Sequence, residues 1–225
     1  MTKLYLFDIE GTTTDIQFVH KVLFPYSSQH LKTYVLEHQD HPVVKKAIID
    51  TQSTVQEEDK KSIDVNGVIE ILLFWIKSDR KHPALKEIQG LIWDSGYSRG
   101  DFKGHVYSDV KPFFEKIMSK AQIGIYSSGS VHAQKLIFGY SEVGDLTPMI
   151  SYYFDTKVGG KREASSYTNI VRETGYAASE IHFFSDIIEE IEASLAAGMQ
   201  ATQVVRPGTK PAAKQTIETF NQVQI

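Results

Sequence analysis

The sequence contains no cysteine, which removes disulfides, thiolate metal sites and a thiol nucleophile from consideration. It has no uninterrupted apolar stretch near the ~20 residues that a bilayer-spanning helix needs. No basic segment followed by a long apolar region stands at its start, so a secretory leader is not expected. Runs of basic residues are missing too. With 24 Lys and Arg against 28 Asp and Glu, the formal net charge is −4, the wrong sign for a phosphate-backbone footprint. Nucleic acid and membrane are therefore not expected partners, and an anionic substrate would need cations supplied locally. These absences suit a soluble cytoplasmic protein. Nothing in the sequence demands an oligomer, so a monomer is the expectation.

What is present is ordinary globular material. The chain has 225 residues, 41% of them hydrophobic and 23% charged, enough for one large domain or one domain carrying a sizeable insertion. Leu4 to Phe7 is a short β-favouring apolar run that stops abruptly at Asp8. Glu10, Gly11 and three threonines follow. Side chains alternate along an extended strand, so Asp8 and Glu10 can face the same way beyond its end. A polar turn would use the same residue types, and the choice depends on the rest of the chain.

From Asp15 to about Gly96 the apolar residues recur at helical spacing, most clearly at Val68, Ile71, Leu72, Trp75 and Ile76. Pro83 suits the first turn of a further helix. Residues 56–62 are polar and are expected to form a solvated connection. After Tyr97 the texture changes. Short β-favouring runs at 123–126, 152–154, 181–184 and 201–205 alternate with helical stretches, the last of these runs being the expected final strand. That alternation predicts an α/β fold, a doubly wound Rossmann-like parallel sheet. Its core would comprise residues 1–14 and 98–225, interrupted by a helical block at 15–97.

The polar residues with chemical potential gather at the predicted strand ends. The first strand ends in Asp8 and Glu10, a later one in Ser127 and Ser128, and another in Ser185 and Asp186. Lys161 follows Gly159 and Gly160 just before a helix. A parallel sheet brings its carboxyl ends to one crevice. Asp8, Glu10 and Asp186 offer the hard oxygens that Mg²⁺ prefers. Ser127, at a loop-to-helix junction, can cradle phosphate oxygens, and Lys161 can offset their charge. Such a set suits phosphoryl transfer, which rests on positioning and charge stabilisation and accepts a weak nucleophile such as Asp. Taken singly, each has an ordinary reading. Asp186 could be a helix cap, Lys161 a solvated lysine with Lys157 as rival, and His105 and His132 structural residues. Glu190 could be a solvated acid or a neighbour of the metal.

In this order, Asp-x-Glu-Gly-Thr, Ser after an apolar strand, Lys, then Ser-Asp, the chain resembles the haloacid dehalogenase superfamily of aspartate-nucleophile phosphotransferases. The runs Phe7 to Thr13, Leu23 to Tyr26, Lys103 to Tyr107, Tyr126 to Ser130 and Phe184 to Asp186 are similar to the methionine-salvage enolase-phosphatases within it. The residues after Pro207 and around Gln56 carry no such likeness. The resemblance implies a Rossmann-like core with a helical cap and one Mg²⁺ per subunit. The implied substrate is a small phosphate ester, 2,3-diketo-5-methylthiopentyl-1-phosphate, first enolised and then dephosphorylated. By position, Asp8, Glu10 and Asp186 would bind the metal, and Ser127, Ser128 and Lys161 the phosphate. Asp8 would be the nucleophile, Glu10 the candidate acid–base, and Trp93 and Tyr97 part of an apolar wall in the cap. The lysine pattern favours Lys161 over Lys157. The resemblance departs from the wider superfamily at Glu10, where Asp is usual. The competing readings are a phosphatase for another small ester, a non-catalytic phosphoacceptor domain, and a metal-independent dehalogenase.

Overall fold

The computed structural model describes residues 1–225. Strands β1 (Leu4–Phe7), β2 (Gln122–Tyr126), β3 (Tyr152–Phe154), β4 (Ile181–Ser185), β5 (Gln200–Val204) and β6 (Thr216–Ile217) form one sheet in the order β3-β2-β1-β4-β5-β6. Every pairing is parallel. The chain moves outward from β1 through β2 to β3, then returns to the other side of β1 to lay down β4. This reversal puts the carboxyl ends of β1 and β4 at a topological switch point, the place where ligands bind in open α/β sheets.

Strand β1 is apolar throughout because it is covered on both faces, and all four residues are buried. Leu4 and Leu6 share one face with Tyr126, Ile181 and Phe183, beneath Tyr167 and Ile170 of α8 (Ala164–Thr174) and Ile191 of α9 (Ile188–Ala196). By alternation Tyr5 and Phe7 turn the other way. There Phe7 stacks on Phe184 with ring centroids 5.3 Å apart and meets Phe114 of α6 (Val110–Ile117) at 5.1 Å. Phe220 lies edge-on to Phe7 at 5.4 Å on the same face.

The chain divides into two compact units, Met1–Phe18 with Lys103–Ile225, and Val19–Phe102; the short helix α1 (Ile16–Phe18) ends the first segment. The helical unit thus starts four residues and ends five residues later than the block at 15–97. It contains α2 (Phe24–Glu37), α3 (Pro42–Asp59), α4 (Val65–Lys77) and α5 (Pro83–Arg99), around a core that includes Leu31, Val44, Leu72, Trp75 and Ile88. Asp64 caps α4 by accepting from the Gly67 N–H at 2.9 Å, and α5 stops at Gly100 with φ +76°. No helix is long and apolar enough to cross a membrane.

Two expectations need correction. Residues 56–59 are solvated as expected but form the last turn of α3, which runs one turn past Val55, the end of its buried stripe, and stops at Lys60 in the left-handed conformation. Only Lys60 to Asp64 link it to α4. Strand β5 is also not the last. Thr216 and Ile217 add β6 at its edge, a two-residue element too short to leave a periodic signal.

Candidate active site

Asp8 ends β1 while still in the ladder, donating its N–H to Phe184 O at 2.9 Å. The chain then turns tightly. The amides of Thr12, Thr13 and Thr14 all point at Ile9 O, at 3.1, 2.9 and 2.9 Å. Thr13 Oγ1 donates to Asp8 O at 3.0 Å and Thr14 Oγ1 to His105 O at 2.8 Å. Gly11 is needed here on two counts. Its φ is +79°, and a Cβ on it would lie 2.4 Å from Asp186 Oδ2, so any side chain would displace that carboxylate.

Strand β2 delivers Ser127, fully buried, whose Oγ donates to Glu10 Oε2 at 3.1 Å and accepts from the Gly129 N–H at 3.0 Å. Ser128 is exposed at the loop tip. Gln134 in α7 (Val131–Gly139) fastens this loop. Its Nε2 donates to Gly129 O at 2.9 Å and to Phe154 O at 2.8 Å. Ser130 caps α7 by accepting from the Ala133 N–H.

Lys161 is buried, whereas Lys157 is exposed. The Lys161 ammonium pairs with Asp8 Oδ1 and lies 2.8 Å from Glu190 Oε2. Burial works against this charge, but the two carboxylates outweigh it and hold the lysine above its ordinary pKa. The bend that aims it is built from Gly159, φ +130°, whose missing Cβ would lie 2.1 Å from Ser166 Oγ. Tyr126 OH donates to Gly159 O, Ser166 Oγ to Gly160 O and Tyr167 OH to Lys161 O. At the end of β4, Ser185 Oγ donates to Glu190 Oε2 at 2.7 Å. Asp186 donates its N–H to Thr12 Oγ1 at 2.9 Å.

The structure thus gathers Asp8, Glu10, Ser127 and Asp186 at adjacent strand ends, with Lys161 reaching in from the loop that precedes α8. Four features escaped the sequence reading: the anchoring of Lys161 by Glu190, the grip of Gln134 on the serine loop, the role of Thr12 beside Asp186, and the burial of Arg206. His105 accepts the Asp15 N–H through Nδ1 at 3.0 Å. In the helical unit, Trp93 donates its indole N–H to Leu23 O at 2.8 Å and the Tyr97 ring meets Phe102 edge-on.

A haloacid dehalogenase-like hydrolase family model matches residues 2–198. A protein of Thioalkalivibrio sulfidiphilus called enolase-phosphatase E1 is 44% identical over 209 residues, covering 92% of each chain. A protein of the same name from Stenotrophomonas maltophilia is 43% identical and covers 99% of each. The chain belongs to the enolase-phosphatase family of haloacid dehalogenase-like hydrolases. It is an enzyme, with an α/β fold of the haloacid dehalogenase type. Among solved structures, the UTR4 protein of Saccharomyces cerevisiae superposes with a TM-score of 0.82 at 34% identity, over 99% of this chain and all of that one.

Charge decides whether these residues suit the Mg²⁺ that the resemblance implies. Asp8, Glu10, Asp186 and Glu190 are four carboxylates gathered about one ammonium, Lys161. Burial, and then the Asp8 charge, push Asp186 up to about 7 and raise Glu10 as well. A divalent cation would relieve that strain, and the donors are the hard oxygens it prefers. No three acids or imidazoles converge into a ready-made cage. An ion here would draw on a few carboxylates and complete its shell with water and phosphate oxygens, as Mg²⁺ usually does. The residues fit the ion.

Proposed function

We propose that this chain enolises 2,3-diketo-5-methylthiopentyl-1-phosphate and then hydrolyses its phosphate ester through an aspartyl-phosphate on Asp8. The observation that carries the reading is the buried Lys161 ammonium held against Asp8 at the end of the central strand. The relatives' shared name supports the enolase half.

Asp8 Oδ1 accepts the Ile9 N–H at 2.7 Å and the Lys161 ammonium, whereas Oδ2 meets only Ser185 Oγ at 3.4 Å, a hydroxyl held more closely by Glu190 at 2.7 Å. We assign the attack on phosphorus to Oδ2, the less engaged oxygen. The ester P–O bond breaks as the Asp8–phosphorus bond forms. The departing oxygen takes its proton from Glu10, which burial and the Asp8 charge hold above its ordinary pKa. The Glu10 carboxylate then takes a proton from water, the resulting hydroxide attacks phosphorus, and the Asp8–phosphorus bond breaks to restore the carboxylate. Glu10 is also the candidate base for the carbon-bound proton removed in the enolisation. Ser127, Ser128 and the loop amides bind phosphate oxygens, and Lys161 offsets their charge so that one anion can approach another. Asp8, Glu10 and Asp186 would hold Mg²⁺, which supplies Lewis-acid polarisation of phosphoryl and diketone oxygens. The helical unit, residues 19–102, is read as the inserted cap.

The test is a Mg²⁺-dependent assay on the diketone phosphate that follows enol absorbance and phosphate release separately. Both signals are expected, with enol appearing first. Phosphate release without any enol signal would place the chain among phosphatases for other small esters.

A further inference from the structure

We propose that Arg206 is a positioning residue for the Asp186 end of the site, acting through Thr12 and tying the C-terminal segment to the reaction. The inference rests on the reading of Asp186 as a ligand of the divalent cation.

Arg206 lies just past β5 and is buried. Each of its three nitrogens donates a hydrogen bond. Nη1 and Nη2 each reach an Asp109 oxygen at 2.9 Å, Nη1 also donates to Glu218 O at 3.2 Å, and Nε donates to Thr12 O at 3.0 Å. The guanidinium carbon sits 4.2 Å from the Tyr107 ring and 5.2 Å from that of Phe220. Asp109 is held in turn from the C-terminal segment, since Oδ2 accepts from Thr219 Oγ1 and from the Phe220 N–H, both at 2.8 Å. This explains why Asp109 precedes α6 without capping it. Its carboxylate is committed to the clasp.

The far end of the clasp is Thr12. Its N–H donates to Ile9 O, its carbonyl accepts from Arg206, and its hydroxyl accepts the Asp186 N–H. The other backbone group of Asp186 is tied to the same segment. Asp186 O accepts from Gln203 Nε2 at 2.9 Å, while Gln203 Oε1 accepts from the amides of Ala212 and Ala213. Both backbone groups of Asp186 are thus set by residues beyond the strand that bears it. A carboxylate hung this way can hold its place despite repulsion from Asp8. Only a forked cation can span Asp109 and the Thr12 carbonyl together, so Lys is a poor substitute.

The test measures Mn²⁺ binding by electron paramagnetic resonance on full-length wild type and the Arg206→Gln, Arg206→Lys and Asp186→Asn variants, with melting temperature and, at saturating Mg²⁺, kcat and KM. Arg206→Gln should bind Mn²⁺ about tenfold more weakly, as expected when a partner that orients a ligand is lost, with Arg206→Lys in between and KM at saturating Mg²⁺ little changed. A clasp serving stability alone would lower the melting temperature and leave Mn²⁺ affinity where it was. Mn²⁺ affinity within about twofold of wild type in both Arg206 variants, with Asp186→Asn binding lost, would overturn the relay and leave the metal reading intact. Should Arg206→Gln not fold, Arg206→Lys decides by the same threshold. Unchanged binding in Asp186→Asn would instead remove the metal reading on which the relay stands.

Discussion

Lys161 Nζ and Glu190 Oε2 are 2.8 Å apart, both buried, and Glu190 also accepts the Ser185 hydroxyl. The acid therefore fixes where the ammonium sits rather than merely neutralising it. Glu190→Gln keeps the shape and an acceptor, whereas Glu190→Ala removes both. Breaking a buried pair from one side typically costs about 3–5 kcal/mol, and Asp8 still partners the lysine, so Glu190→Ala should lose about 3 kcal/mol in urea unfolding and Glu190→Gln clearly less. Equal, near-zero losses would show that the lysine is held by other means.

The burial of Lys161 and exposure of Lys157 separate the two lysines. Lys161→Ala should abolish measurable phosphate release, while Lys157→Ala should stay within about twofold of wild type, as for most exposed substitutions. The reverse pattern in a phosphate-release assay would exchange their roles.

Asp8→Asn retains the size of the side chain but removes the attacking oxyanion. Phosphate release should fall by about a thousandfold or more, the scale seen when a nucleophile is removed. Release near the wild-type rate would sink the aspartyl-phosphate mechanism.

His182 supplies a pH dependence away from the site. It stacks on Phe184 at 4.4 Å and its Nε2 lies 2.8 Å from Thr202 Oγ1. Burial pushes it from 6.5 down to about 4. Between those values the unfolded chain binds the proton and the folded chain does not, so stability rises with pH. The contribution is complete above about 6.5 and is lost as pH falls toward 4, amounting to about 3 kcal/mol at most. Urea midpoints of wild type should fall more steeply over this window than those of His182→Gln. Parallel lines would show that the imidazole does not titrate in this way.

Phe220 belongs to the last turn of the chain, yet it is fully buried and meets Phe7, Phe113 and Phe184. Phe220→Ala should cost about 3–5 kcal/mol, the usual range for a core phenylalanine, measured by urea unfolding. A loss of only a few tenths would mean the aromatic face closes without it.

Much of this arrangement is written locally. An apolar run cut off by an acid gives β1 and Asp8. The alternation of β-favouring runs and helical stripes gives the parallel sheet, and a parallel sheet collects its strand ends. Proline and glycine punctuation marks α3, α5 and the stop of α8 at Gly175. Other features depend on partners far along the chain. Thr12 meets Asp186 across 174 residues and Arg206 meets Asp109 across 97. In the sequence these are an ordinary turn threonine and an ordinary arginine. Periodicity reports which face of an element is buried, but not which distant group will satisfy a buried hydrogen-bond donor. Folding makes that choice, because desolvating a guanidinium or a carboxylate is affordable only where its partners already wait. At the end of β1, local pattern accounts for the acids, and three-dimensional packing for what holds them in place.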